Sequence, residues 1–392
     1  MINQSQQQPI DRRSLNAVFI LILATAVVQA AVGYNTVLFP VSLEAYGFNK
    51  FLIGLCLAFE MGAVISIINC IDWILSKFGL MGTIAVATGV RLVVLLLLAK
   101  TQNLPLWCMG VFLFGICTYM CLISLQTWVN ALSVGRFRGL VSGCYSSALS
   151  LGTASGPILF NTFGSAGGGK AFQGNMIIVI VVLLVIIPLL TQQPRFLKQG
   201  RLRIGYVIRM AKVPMLSSFV GGVTFFGLPA FLTLYGMMNG LPVQRASLLL
   251  TAFMLGSVSL GLLISSFSNR SNRTFVTIFC VLVGVLCAIF LPLGIYNYVI
   301  ALCLLFVWGG AAGGIYATGL SAVAELFRKE DQVSANVAYS ILDNVGGIIA
   351  VLSIGFLMNS GISDGIVYVI ISTALCYFIY CLAQLINAEH MA

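Results

Sequence analysis

Three ionisable residues fall deep inside apolar stretches of the sequence: Glu60, Arg91 and Asp343. An ionised side chain near the centre of a bilayer costs about 2.5–3.5 kcal/mol on insertion scales, so one that is kept there has a task or a partner. Around Asp343, residues Asn336, Tyr339, Gly346, Gly347 and Ala350 recur at helical spacing and form one stripe of polar and small side chains. A carboxyl group on such a stripe can load and release a proton as its surroundings alternate between wet and dry, or it can hydrogen-bond a neighbouring helix. Glu60 and Arg91 lie near the middle of consecutive apolar segments, where they can form a buried pair. If Arg91 instead reaches a cavity, its guanidinium can hold an anion through two parallel hydrogen bonds.

The elements that position these groups follow from composition. Of 392 residues, 60% are hydrophobic and 8% charged, with mean hydropathy +1.05. That is too little charge to cover soluble domains, so lipid is the expected solvent and a soluble enzyme is excluded. Apolar windows predict helices near 17–43, 51–75, 82–99, 104–130, 138–163, 173–192, 213–236, 245–267, 274–294, 297–322, 333–358 and 363–386. The class is therefore all-α integral membrane with twelve transmembrane helices; the period-two alternation that a barrel needs is absent. With the N-terminus inside, fifteen Lys and Arg residues fall on the cytoplasmic side and four outside. Both termini are thus expected in the cytoplasm, and the net charge of +10 marks topology and anionic lipid heads, not nucleic acid.

Other chemistries find little support. No Cys-x-x-Cys occurs among eleven cysteines and the single His390 is in the tail, so no metal and no cofactor is expected. Gly164 to Gly169 lacks the Lys-Ser/Thr of a phosphate loop. No nucleophile and base are spaced for catalysis.

The chain echoes itself. Pro40, Tyr46 and Gly47 match Pro229, Tyr235 and Gly236, and Ala58, Phe59 and Gly62 match Ala252, Phe253 and Gly256, at shifts of 189 and 194 residues. Two pseudo-symmetric six-helix bundles are expected over 1–192 and 213–392, joined by a basic cytoplasmic linker over 193–212. Paired bundles with a shared crevice are the architecture of rocking secondary transporters.

Gln126, Thr127, Trp128, Val129 and Asn130, followed by Arg136, Arg138 and Gly139, resemble a signature of the YcaD-like bacterial branch of the major facilitator superfamily, with Gln126 where that branch has an acid. Gly143, Gly152, Gly156 and Pro157 are similar to the start of a motif of its antiporters. Lys77 and Gly79 remain from the superfamily's loop between spans two and three, and Arg270 and Arg273 stand in the second copy, both without the acid of the pattern. The resemblance implies a monomer in the bacterial inner membrane that moves a small organic solute by alternating access, coupled to protons, with a lean to export. An ion-independent facilitator or lipid translocator, or a sensor with a transporter fold, remain as alternatives. It further implies that spans one, four, seven and ten line the pathway, so Gln29, Asn35, Gln126, Tyr235 and Tyr316, with Arg91, are expected to contact substrate. Asp343 and Glu60 are expected to couple protons, and Asp72, Lys77, Glu325 and Arg328 to form a cytoplasmic gate.

Overall fold

The computed structural model describes residues 12–132, 138–163, 168–190, 204–268, 273–327 and 331–389. They form α1 (Arg12–Ala45), α2 (Lys50–Ile67), α3 (Ile71–Leu98), α4 (Leu104–Leu132), α5 (Arg138–Phe163), α6 (Gly169–Ile186), α7 (Ile204–Met210), α8 (Lys212–Gly222), α9 (Leu228–Met238), α10 (Val243–Phe267), α11 (Arg273–Gly294), α12 (Tyr298–Leu326), α13 (Gln332–Asn359) and α14 (Gly365–Glu389). Ten helical runs among the described residues are long and apolar enough to cross a membrane, α8 and α9 counting as one through a π-helical turn at Val223–Gly227.

The run Lys50–Leu98 holds two crossings. Gly79 interrupts it at φ 68° and ψ 176°, a backbone shape that glycine adopts without steric penalty. Glu60 and Arg91 would stand roughly 46 Å apart on one straight helix. Instead both meet the same level of α4: a Cβ on Gly115 would lie 2.7 Å from the Glu60 carbonyl oxygen, and the Arg91 guanidinium sits 4.6 Å from the Phe114 ring centroid. The chain therefore doubles back at Gly79. With that doubling, and with the serine- and glycine-rich α5, the crossings among the described residues number twelve.

The halves pack alike. α1 crosses α5 and α8 crosses α13; α2 packs on α4 and α10 on α12; α3 packs on α4 and α6, and α11 on α12 and α14. Between the halves, α2 meets α13 and α5 meets α10, again equivalent pairs. The caps repeat too. α1 ends on Gly47 (φ 84°) with Phe48 N–H bonded to the Leu43 carbonyl at 3.1 Å. The span of α8 and α9 ends on Gly240 (φ 83°) with Leu241 N–H bonded to the Gly236 carbonyl at 3.0 Å, the same left-handed closure. This aligns Gly47 with Gly240, so the sequence match of Gly47 to Gly236 is one helical turn out of register.

At the face away from the chain ends the halves are shut. Phe51 and Phe356 pack edge to face at 6.5 Å, Asn161 Nδ2 donates to the Gln244 carbonyl at 2.9 Å, and Thr251 Oγ1 donates to the Ala154 carbonyl at 2.9 Å. Between them lies a shared core that includes Phe39, Trp107, Phe231 and Val351. The outer surface carries apolar side chains such as Phe19, Leu97 and Leu293, as lipid contact requires. Part of the expected linker is helical: α7 buries Val207 in a cluster with Phe327 and Ala335, while 193–203 fall outside the described residues.

Candidate functional site

A chamber of about 430 Å³ opens between the two halves. α1 gives it Gln29, Asn35 and Thr36; α2 gives Glu60; α4 gives Thr118, Tyr119 and Gln126; the π-turn gives Phe225 and Phe226; α12 gives Tyr316; and α13 gives Ser340, Asp343 and Asn344. Apolar walls with a few aimed polar groups are the usual make-up of a ligand site.

Backbone packing explains how these side chains are aimed. α8 and α13 approach so closely that a Cβ on Gly222 would overlap the Asp343 carbonyl oxygen, and one on Gly346 would overlap the Phe219 carbonyl oxygen. Gly227 and Gly347 take the same contact further along, against Ala350 and Phe226. The small residues of the α13 stripe are thus spent on contact with span seven, and Asp343, whose backbone carbonyl sits at the crossing, lines the chamber with its side chain. The π-turn begins at that point; such turns concentrate at functional sites because the extra residue frees backbone and re-aims side chains. Tyr339 is buried behind Asp343, donating to the Tyr316 carbonyl at 3.1 Å, and its ring packs on Tyr316 at 5.3 Å. Tyr316 in turn packs on Phe225 at 6.0 Å.

Several buried polar atoms around the chamber have no protein partner: Gln29 Oε1, Asn35 Nδ2, Thr118 Oγ1 and Asp343 Oδ1. Leaving a buried donor or acceptor unmade costs about 1–3 kcal/mol each, so their convergence on one cavity marks a place filled by solvent or solute. Asn35 is otherwise held by a hydrogen bond from Asn175 Nδ2.

The expected site residues separate into three groups. Gln29, Asn35, Glu60, Gln126, Tyr316 and Asp343 line the chamber together. Arg91 and Tyr235 do not. Arg91 is fully buried behind α4, its cationic face on Phe114 and its nitrogens without an oxygen partner, because span three packs outside spans four and six. Tyr235 sits at the shut face, its hydroxyl donating to Asp364 Oδ1 at 2.9 Å. Asp72, Lys77 and Glu325 are at the helix ends of the face where the chain begins and ends. Lys77 stands 4.9 Å from the Trp73 ring and makes no described ion pair with Asp72. Arg328 lies outside the described residues.

Sequence reasoning passed over Thr118, Tyr145, Phe225, Phe226 and Asn344 as chamber residues. The two phenylalanines carried a signal in their position, shortly after Gly221 and Gly222 and before Gly227 and Pro229, a stretch too rich in helix breakers for plain packing.

The model of the Major Facilitator Superfamily matches residues 21–351, and again residues 214–387. The chain belongs to the major facilitator superfamily. A curated relative is an uncharacterized MFS-type transporter, YfkF, of Bacillus subtilis (strain 168), 23% identical over 279 residues, covering 69% of this chain and 71% of that one. Among solved structures the fold is similar to the nucleoside transporter NupG, with TM-score 0.74 and 13% identity over 95% of this chain and 98% of that one. It is also similar to a bacterial homolog of the human lysosomal transporter Spinster in an inward-facing, occupied conformation, with TM-score 0.73 and 13% identity over 98% of both chains. As a superfamily member the protein is a multi-pass membrane protein built for transport.

In this superfamily setting the second basic loop regains its acid from elsewhere. Arg273, at the start of α11, holds Glu325 of α12 through two hydrogen bonds, Nη2 to Oε1 at 2.7 Å and Nη1 to Oε2 at 3.2 Å. The partner is 52 residues away, so no local motif could show it.

Proposed function

We propose that the protein is a secondary active transporter of a small organic solute in the bacterial inner membrane, of the YcaD-like branch, working as a monomer with both termini in the cytoplasm. The solute occupies the chamber, touched by Gln29, Asn35, Gln126 and Tyr316, and the bundles rock to expose it alternately. Asp343 exchanges a proton in each cycle, with Glu60 as a second acid, and the direction of transport is outward. The observation that carries this reading is the chamber between equivalent bundles, shut at one face by the α2–α13 and α5–α10 contacts and walled by a carboxylate with an unpartnered oxygen. Two equivalent seams at the shut face support rocking of one bundle on the other. Arg91 and Tyr235 are left in structural roles. Asp72, Lys77 and the Arg273–Glu325 pair are gate elements of the cytoplasmic face.

The test compares all small solutes inside and outside cells that carry the wild-type protein, the Asp343→Asn variant or neither. The expected result is a solute whose gradient appears with the wild type, collapses with a protonophore and is missing in the variant. An Asp343→Asn protein that maintains the same gradient removes the proton assignment; no solute responding to the wild type removes transport itself.

A further inference from the structure

Charge inside the chamber says what it takes. Its described lining holds two acids, Glu60 and Asp343, and no Lys, Arg or His. The two acids are not equivalent. Behind Glu60, on the far side of the α4 wall, Arg91 supplies an opposite charge close enough to act on it. Asp343 has no such counterpart among the described residues. The groups facing it are the phenols of Tyr316, Tyr339 and Tyr119, neutral across the ordinary pH range, from α12, α13 and α4. α2 faces it with Glu60, the α8 end and π-turn face it with glycine and Phe225, and α14 contributes only Tyr377 behind Tyr339. With no basic group in its described lining, the chamber is negative whenever either acid is ionised.

An excess charge in a low-dielectric pocket is neutralised by a proton or by a cation. Around Asp343 the walls are aromatic: Tyr119, Tyr145, Phe225, Phe226 and Tyr316. Aromatic faces attract a poorly hydrated cation and reject a strongly hydrated one. Thr118, 7% exposed with its hydroxyl unpartnered, and Asn35, 2% exposed with a free N–H, add hydrogen bonding on the opposite wall. A second space of about 340 Å³ opens past Asp343, sharing Leu149, Phe225 and Tyr316 with the first and lined beyond by Ser146, Ser150, Ser257 and Gly261. It gives room for a substituent while the charged centre stays at the carboxylate.

We infer that the substrate is a compact lipophilic organic cation, carrying one positive charge, that replaces the proton on Asp343. The inference rests on the transporter reading and names its substrate class. The exchange balances: the Asp343 O–H bond breaks, the proton passes to solvent through the open face, and the substrate's positive charge takes its place, so the chamber's net charge is the same before and after. Solute and proton then compete for one group, and a proton gradient drives the cation the opposite way.

Purified full-length protein in detergent tests this without any transport. Tetraphenylphosphonium and benzyltrimethylammonium are compared with tetraphenylborate and benzenesulfonate, their anionic counterparts, by equilibrium dialysis and by a pH indicator in weak buffer. A cation from the first pair binds and releases a proton, and neither anion binds. Asp343→Asn weakens the cation about tenfold or more and releases no proton, as loss of a charge contact above about 1.4 kcal/mol requires. Asp343→Glu, which keeps the carboxylate, restores both and shows that the site is folded. Anion binding equal to or tighter than cation binding overturns the inference, as does proton release that survives in Asp343→Asn, or failure of both cations to bind the wild type. Cation binding with proton release but no solute gradient in cells would leave the substrate class standing and remove transport.

Discussion

In the first half α1 crosses α5 where Gly33 faces Thr153 and Gly156 faces Tyr34, and both helices run on unbroken with Asn35 bonded to Asn175 beside the crossing. In the second half α8 crosses α13 where Gly222 faces Asp343 and Gly346 faces Phe219, and the helix breaks into a π-turn beside a carboxylate with an unpartnered oxygen. The two halves share one crossing geometry. The first copy ties Asn35 to Asn175 of α6 through one bond and leaves its N–H free; the second leaves a carboxylate oxygen open to the chamber. The two copies differ in charge and in how far the group is tied down, since polar atoms without a partner face the chamber from both halves.

The crossings themselves offer the largest effect. Adding a methyl at Gly222 or Gly33 puts it into backbone of the facing helix, which cannot yield as a side chain does, and overpacking of this kind costs about 1–3 kcal/mol or more. Gly222→Ala and Gly33→Ala are both expected to lower the unfolding midpoint of the purified protein by several degrees, whereas Gly62→Ala, with nothing within 4 Å of the new methyl, leaves it unchanged. If Gly222→Ala alone were tolerated, the second crossing would be a loose hinge, and the likeness between the halves would end at topology.

A smaller effect separates the two acids. Arg91→Met removes the charge set against Glu60 and lowers stability, and Glu60→Gln in the same protein restores it, with a coupling of about 0.5–3 kcal/mol in a double-mutant cycle. Asp343→Asn gives no coupling to Arg91→Met, because Arg91 is turned to α4 and away from α13. Additive losses for Arg91 and Glu60 would mean that Glu60 stands alone as Asp343 does, and the chamber's charge count would change with it.

The sequence made the crossings legible because lipid leaves few choices: apolar length gives the helices, and basic loops give their order. Asp343 and Glu60 were legible for the same reason, as charges where lipid tolerates few. Arg91 was legible as an oddity but not in its placement, since helical periodicity tells which residues share a face and not which helix that face meets. Tyr235 misled through its place on span seven; depth along the span, fixed by the cap at Gly240, puts it at the shut end. The sequence separates spans two and three where the backbone turns at Gly79, whereas the π-turn hid the reason for Phe225 and Phe226, a matter of backbone shape that residue type only permits.

The smallest effect concerns the proposed gate. Arg273 and Glu325 form a two-bond ion pair, but Glu325 keeps 49% of its side-chain surface exposed. Water and salt screen such a pair, and its net contribution is about 0.2–1 kcal/mol. Glu325→Gln is therefore expected to shift the unfolding midpoint by little more than the scatter, and the shift shrinks further in high salt. Its counterpart at the other face, Lys50 with Glu44, ties neighbouring helices of one bundle in the same way and is expected to behave alike. A Glu325→Gln variant that unfolds many degrees lower would show that α11 and α12 depend on this pair to stay together at the face where the chain ends. The second half would then depend on charge at this face, where the described residues of the first half show no ion pair.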